Sequence, residues 1–139
     1  MPESDAPRIF TVEEATQQLG QITDLIRQLQ GVHQSIAKTN QQLDEKVEKL
    51  SAGNGYPIKE LREQVEELTE HQLHLVQAFQ SAAEQLEEIG CVLKDLAQGL
   101  VDFYAMRDGE LVFLCWRVGE RQIRFWHSVE DGFSGRQPL

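Results

Sequence analysis

A chain of 139 residues, 40% hydrophobic and with a formal net charge of −10, has the size of one domain with a modest core, and its acidity disfavours a nucleic-acid partner, whose phosphates it would repel. The first eight residues are polar and no run approaches roughly 18 apolar residues, so no secretory leader and no membrane span are expected, and the cytoplasm is the expected compartment. The two cysteines, Cys91 and Cys115, form no CxxC pair, which excludes zinc-finger spacing and points to reduced thiols.

Residues 1–9 hold two of the four prolines and read as a frayed arm. At Phe10-Thr11-Val12-Glu13-Glu14 a helix begins: Thr11 is placed to cap it, Glu14 three residues on completes a capping box, and Phe10 starts a hydrophobic staple. From there Val12, Ala15, Leu19, Ile22, Ile26, Leu29, His33, Ile36, Asn40, Leu43, Val47 and Leu50 recur at alternating steps of three and four, the a/d repeat of a coiled coil. The spacing predicts helix one over 10–52. Gly20 and Gly31 interrupt it and are read as points of close helix approach or slight bending. Gly53, Asn54, Gly55 and Pro57 supply the turn. The same repeat then resumes at Ile58, Leu61, Val65, Leu68, Gln72, Leu75, Phe79, Ala82, Leu86 and Ile89, predicting helix two over 57–89, antiparallel to the first. Folding about the turn brings Asn40 near Gln72, where paired amides would fix register. Residues 1–90 carry 7 basic against 16 acidic groups, net −9, so the negative charge lies on the helical part.

After Gly90 the period changes from helix to strand. Segments 91–95, 100–107, 110–117 and 122–128 predict an antiparallel β unit over 91–128, with Asp108-Gly109 a strong type I′ hairpin signal and 118–121 a second tight turn. The tail 129–139 is expected to be irregular. If both turns hold two residues, one face carries Val101, Phe103, Ala105, Val112, Leu114, Trp116, Ile123, Phe125 and His127 and packs on the helices. The opposite face carries Asp102, Tyr104, Met106, Leu111, Phe113, Cys115, Arg117, Arg124 and Trp126. The fold class expected is therefore α+β: a two-helix coiled-coil hairpin followed by a three- or four-stranded antiparallel meander, within a single domain 1–139.

On the mixed face, Asp102, Cys115 and Arg124 fall in one row across three strands. A thiol between a carboxylate and a guanidinium is one arrangement of an activated cysteine, and a cross-strand ion pair over a buried thiol is the commoner meaning of the same pattern. Arg117, Trp126 and Arg136 lie near enough in the β unit to join them in a ligand site. Glu120, His127 and Asp131, with Glu130, offer a mixed nitrogen–oxygen set for a divalent metal, the one cofactor these residues suggest, although no HxH or i, i+4 pair pre-organises it. Trp126-His127 beside 132–136 forms either a small-ligand lip or a tail tucked against the sheet. His33, His71 and His74 lack a partner cluster.

The wording of Phe10-Thr11-Val12-Glu13-Glu14-Ala15, Leu93-Lys94-Asp95, Gly99-Leu100-Val101-Asp102-Phe103, Leu114-Cys115-Trp116-Arg117-Val118-Gly119-Glu120, Trp126-His127 and Gly132-Phe133-Ser134-Gly135-Arg136 resembles a small prokaryotic family known as domain of unknown function 2203. The resemblance covers nearly the whole chain, and the C-terminal strings are its specific part. It implies a bacterial or archaeal cytosolic protein with no assigned activity and offers no catalytic residues to carry over. Two functions compete. The first is a non-enzymatic interaction or scaffold module that forms a homodimer or higher oligomer, because a two-helix hairpin leaves Leu25, Val32, Leu73 and Val76 wanting cover; a protein partner would dock on the same hairpin. The second is a small metal- or ligand-binding protein or enzyme with its site on the β unit around Glu120, His127 and Asp131.

Overall fold

A computed structural model describes residues 6–139. Helix α1 runs Val12–Ala52 and helix α2 Ile58–Ile89, followed by strands β1 (Val92–Asp95), β2 (Leu100–Arg107), β3 (Glu110–Arg117), β4 (Phe125–Ser128) and β5 (Gln137–Pro138). The expected α+β architecture is what forms, with a fifth, two-residue strand drawn from the tail that the sequence left irregular. No described helix is long and apolar enough to cross a membrane. The chain divides into two compact units. One holds Ala83–Leu139 with the described residues up to Arg27, and the other is Gln28–Ala82.

The unit Gln28–Ala82 is the distal part of the hairpin. Its turn uses Gly53 (φ +77°) and Gly55 (φ +83°), conformations that side chains resist. The two helices run antiparallel, and the register is held by the predicted amide pair: Gln72 Nε2 donates to the side-chain oxygen of Asn40 and to the Ile36 carbonyl, the latter at 3.3 Å. Lys46 adds a hydrogen bond to Gln64 at 2.9 Å. Leu29, Leu61, Ala82 and also Thr39, a position outside the expected repeat, are buried. Gly20 and Gly31 are not close-approach points, since a Cβ at either would meet nothing within 4 Å. His33 is exposed rather than set in the seam.

In the other unit α1 begins as the sequence requires. The Glu14 N–H donates to Thr11 Oγ1 at 3.1 Å and the Thr11 N–H donates to the Glu14 carboxylate at 2.9 Å, closing the capping box. Phe10, Ala15, Leu19, Ile22, Leu25 and Ile26 are buried, as are Leu86 and Ile89 of α2. The strands follow one another in order β1-β2-β3-β4-β5, all antiparallel. Asp108 (φ +52°) and Gly109 (φ +80°) form the I′ turn and set Asp102 opposite Cys115, as the two-residue turn demands. Alternation then sends Val101, Phe103, Ala105, Val112, Leu114 and Trp116 to an inner face, all buried, with Phe10 packed edge-on against Phe103 at 5.2 Å. Gly99 (φ +68°) turns the chain into β2 so closely under Val118 that a Cβ there would lie 2.9 Å from the valine.

The second turn departs from the expected geometry. Cys115 pairs with Phe125 and Phe113 with His127, one residue out of the register that a two-residue turn gives. Glu120 causes the slip. Its carboxylate accepts the Arg117 N–H at 2.7 Å, its carbonyl accepts the Trp116 indole N–H at 2.9 Å, and Ile123 drops into the core. These bonds hold 118–124 as a loop, and the chain re-enters the sheet only at Phe125. A slip of one residue exchanges the faces of a strand. Trp126 therefore lies inside, where Phe125 and His127 were expected, and Phe125 and His127 lie outside.

Candidate functional site

The slip makes the site. On the outer face the three central strands bring together Asp102 from β2, Cys115 from β3 and His127 from β4, all buried, with one donor atom from each within 4.8 Å of the others. His127 Nε2 is 3.0 Å from Asp102 Oδ2, and His127 Nδ1 is 2.8 Å from the carbonyl oxygen of its neighbour Ser128. A carbonyl can only accept, so Nδ1 carries a hydrogen. One further proton then lies between Nε2 and Oδ2, whichever atom holds it, and the pair is net neutral. Burial pushes the Asp102 carboxyl above the ordinary carboxylate range, against the opposing pull of His127 and Lys94. The Cys115 thiol hydrogen-bonds the same carboxylate, and burial together with the negative charge of Asp102 pushes it up to about 11.

Above this floor lies a cavity of about 310 Å³, walled by Lys94, Gln98, Leu100, Asp131 and Phe133. Lys94 is the extra residue of a bulge in β1, between Leu93 opposite Val101 and Asp95 opposite Leu100. The bulge aims its ammonium over the Phe113 ring at 4.6 Å. Asp95 accepts the backbone and side-chain N–H groups of Gln98 at 3.0 and 3.1 Å and is thereby occupied. The tail is tucked against the sheet: Arg136 stacks on Phe125 at 4.0 Å and on Phe133 at 4.8 Å, and its guanidinium pairs with Glu120 and reaches the Cys115 carbonyl at 3.4 Å. A second cavity, about 340 Å³, is lined by Phe10, Ala105, Val112, Leu114, Trp126 and other largely apolar groups, with Arg107 stacked on Trp126 at 4.7 Å.

The sequence-derived groupings are thus rearranged. Asp102 and Cys115 adjoin as expected, but Arg124 is not their neighbour. It is exposed in the 118–124 loop, where its carbonyl accepts the Leu139 N–H at 2.8 Å. His127 takes its place in the row. Glu120 does not face His127, because Arg136 and the Arg117 backbone engage its carboxylate. Asp131 is exposed on the cavity wall outside the cluster, and Glu130 is likewise outside it. Arg117 is exposed at the end of β3 and Trp126 belongs to the inner face. The thiol is protonated and buried rather than activated, so an attacking cysteine does not fit. Lys94 and the Ser128 carbonyl were missed. A bulge in a four-residue strand leaves no mark in the sequence, whereas the carbonyl's role follows once His127 is known to face outward.

No curated protein and no solved structure matches the chain. A family profile described as an uncharacterized conserved protein matches residues 8–139, from the arm before α1 through the cavity floor and the tail. The chain belongs to that family, DUF2203.

Proposed function

We propose that the protein is a ligand-binding module whose working surface is the outer face of its sheet. The observation that carries this reading is a buried, hydrogen-bonded Asp102–His127 pair at the bottom of an open cavity. Polar groups in such a place cost stability relative to apolar ones, and a purely structural sheet has no need of them. Binding rather than turnover is the better fit: both ring nitrogens of His127 are engaged and Cys115 is protonated, so neither of these two is free to act as base or nucleophile. The test is to block the cavity. Gly132 lies on its wall with φ −101°, and a Cβ there meets nothing within 4 Å, so Gly132→Trp adds an indole at the cavity wall without backbone strain. Ligand-observed NMR with a library of small polar fragments should find binders for the parent protein and lose them in this variant. Its stability should stay within about 0.5 kcal/mol of the parent, as for other surface changes. Fragments that bind both proteins equally, or neither, would remove the reading.

A second reading concerns the distal hairpin. Leu73 and Val76, three residues apart on one face of α2, are 55% and 37% exposed, and Val47 of α1 is 48% exposed. Leu25, also expected to want cover, is buried. These exposed apolar side chains favour self-association through the helices. Sedimentation at micromolar concentration should give a dimer for the parent and a monomer for Leu73→Glu/Val76→Glu. A parent that sediments as a monomer ends this reading.

A further inference from the structure

Resting on the reading of the cavity as a binding site, we infer that Asp102, Cys115 and His127 ligate one divalent transition-metal ion of the zinc class. The donor set is the first reason. An imidazole nitrogen, a carboxylate oxygen and a sulfur converge from three adjacent strands, and their donor atoms lie within 4.8 Å of one another. Metal–ligand bonds of about 2.0–2.3 Å put the ligands of a tetrahedral ion roughly 3.5 Å apart, so about an ångström of closure by side-chain rotation completes the site. The sulfur selects against magnesium and calcium, which take oxygen. The sheet supplies the pre-organisation that no short sequence motif does: three neighbouring strands replace the HxH or i, i+4 pair.

The surroundings of the ligands are the second reason. His127 already donates its Nδ1 hydrogen to the Ser128 carbonyl, the outer contact that metal-binding histidines characteristically make, and this aims Nε2 at the centre of the cluster. Charge is the third. Bound as thiolate, carboxylate and neutral imidazole, the three ligands carry two negative charges, which a dication balances, so the bound site strands no uncompensated charge in the interior. Three protein ligands leave a fourth position open, and the three line the cavity together with Lys94, Asp131 and Phe133. Glu120, tied to Arg136, stays outside the coordination sphere.

The experiment is cobalt(II) titration of the full chain after chelator treatment. One equivalent should produce a thiolate-to-cobalt charge-transfer band in the near ultraviolet and visible bands of tetrahedral intensity, and zinc chloride should displace it. Cys115→Ser, nearly isosteric, should abolish the charge-transfer band. Cys91→Ser should keep it, since Cys91 is buried elsewhere with its thiol on the Leu86 carbonyl. Asp102→Asn and His127→Gln should weaken cobalt by more than the roughly 10–100-fold typical of outer-shell changes. Far-ultraviolet circular dichroism confirms that each variant is folded. For the parent itself, zinc at 100 times its dissociation constant should raise the unfolding free energy by about 2.7 kcal/mol. A folded parent without the band, or a band that survives Cys115→Ser, overturns the metal. Fragment binding in a protein that takes no cobalt would overturn the metal alone and leave the ligand-binding reading in place.

Discussion

Replacing Asp102 by alanine, or His127 by alanine, should each lower the unfolding free energy of the chelator-stripped protein by about 3–5 kcal/mol, while the pair Asp102→Val/His127→Leu should fall within about 1 kcal/mol of the parent or above it. Both side chains are about 2% exposed and their hydrogen bond spans 3.0 Å. Removing either partner leaves the other buried and unmatched, which is the costly state. Removing both eliminates the unmatched polar groups and fills a comparable volume with groups that suit the middle of a sheet. Two hydrogen bonds are lost besides, the one the Cys115 thiol donates to Asp102 and the one His127 Nδ1 donates to the Ser128 carbonyl. A thiol is a weak donor, and Ser128 is only half-buried, so neither loss offsets the gain. Urea unfolding followed by circular dichroism measures all four proteins. At a few degrees of melting temperature per kcal/mol for a chain this size, each single variant should melt roughly 10 °C or more below the parent. A double variant as unstable as the sum of its singles would mean that the pair is there to hold the sheet, and the cavity floor would lose its claim to be a site.

Why the sequence set Asp102 beside Cys115 but did not bring His127 to them follows from how each element is specified. The helices, the Thr11–Glu14 box and the Asp108-Gly109 turn are local, each dictated by residues within one or two turns of chain, and all three form, although His33 and Val47 of the expected seam are exposed. The Asp102–His127 contact spans 25 residues and depends on a register set elsewhere. The hydrophobic pattern that fixes register in most strands is ambiguous in β4. Phe125 and Trp126 are adjacent, so either register places one large aromatic inside and one outside. The decision falls to Glu120, whose hydrogen bonds to Arg117 and Trp116 hold the loop open, and to Ile123, which alone of the loop residues 121–124 is buried. A glutamate three residues after a strand end reads from sequence as a solvated charge. Only the fold shows that it caps a backbone N–H and pairs with an arginine from the tail.

Phe10→Ala should be the most damaging apolar truncation near the start of the chain, at about 3–5 kcal/mol. Phe10 is 2% exposed and packs edge-on against Phe103, with the Arg8 guanidinium 4.4 Å over its ring. Its backbone N–H donates to the Tyr104 carbonyl at 2.7 Å, and Arg8 donates to the Ile89 carbonyl at 2.8 Å. One side chain thus ties the segment before α1 to β2 and sits beside the end of α2. Truncation removes an aromatic pair as well as buried area, and the backbone bonds around it leave the segment little freedom to collapse into the gap. Phe10→Leu, closer in volume, should cost less than half as much. Thermal unfolding measures the size of the effect, and cobalt titration at a temperature where the variant is folded tests its locality. Phe103 and Asp102 are neighbours on one strand but point to opposite faces, so the inner face can lose stability while the outer face keeps its donor atoms in place. Unchanged cobalt affinity in folded Phe10→Ala is the expected result. A parallel loss of affinity would show instead that packing on the inner face positions the ligands, and the cavity floor would then depend on the core through the strand they share.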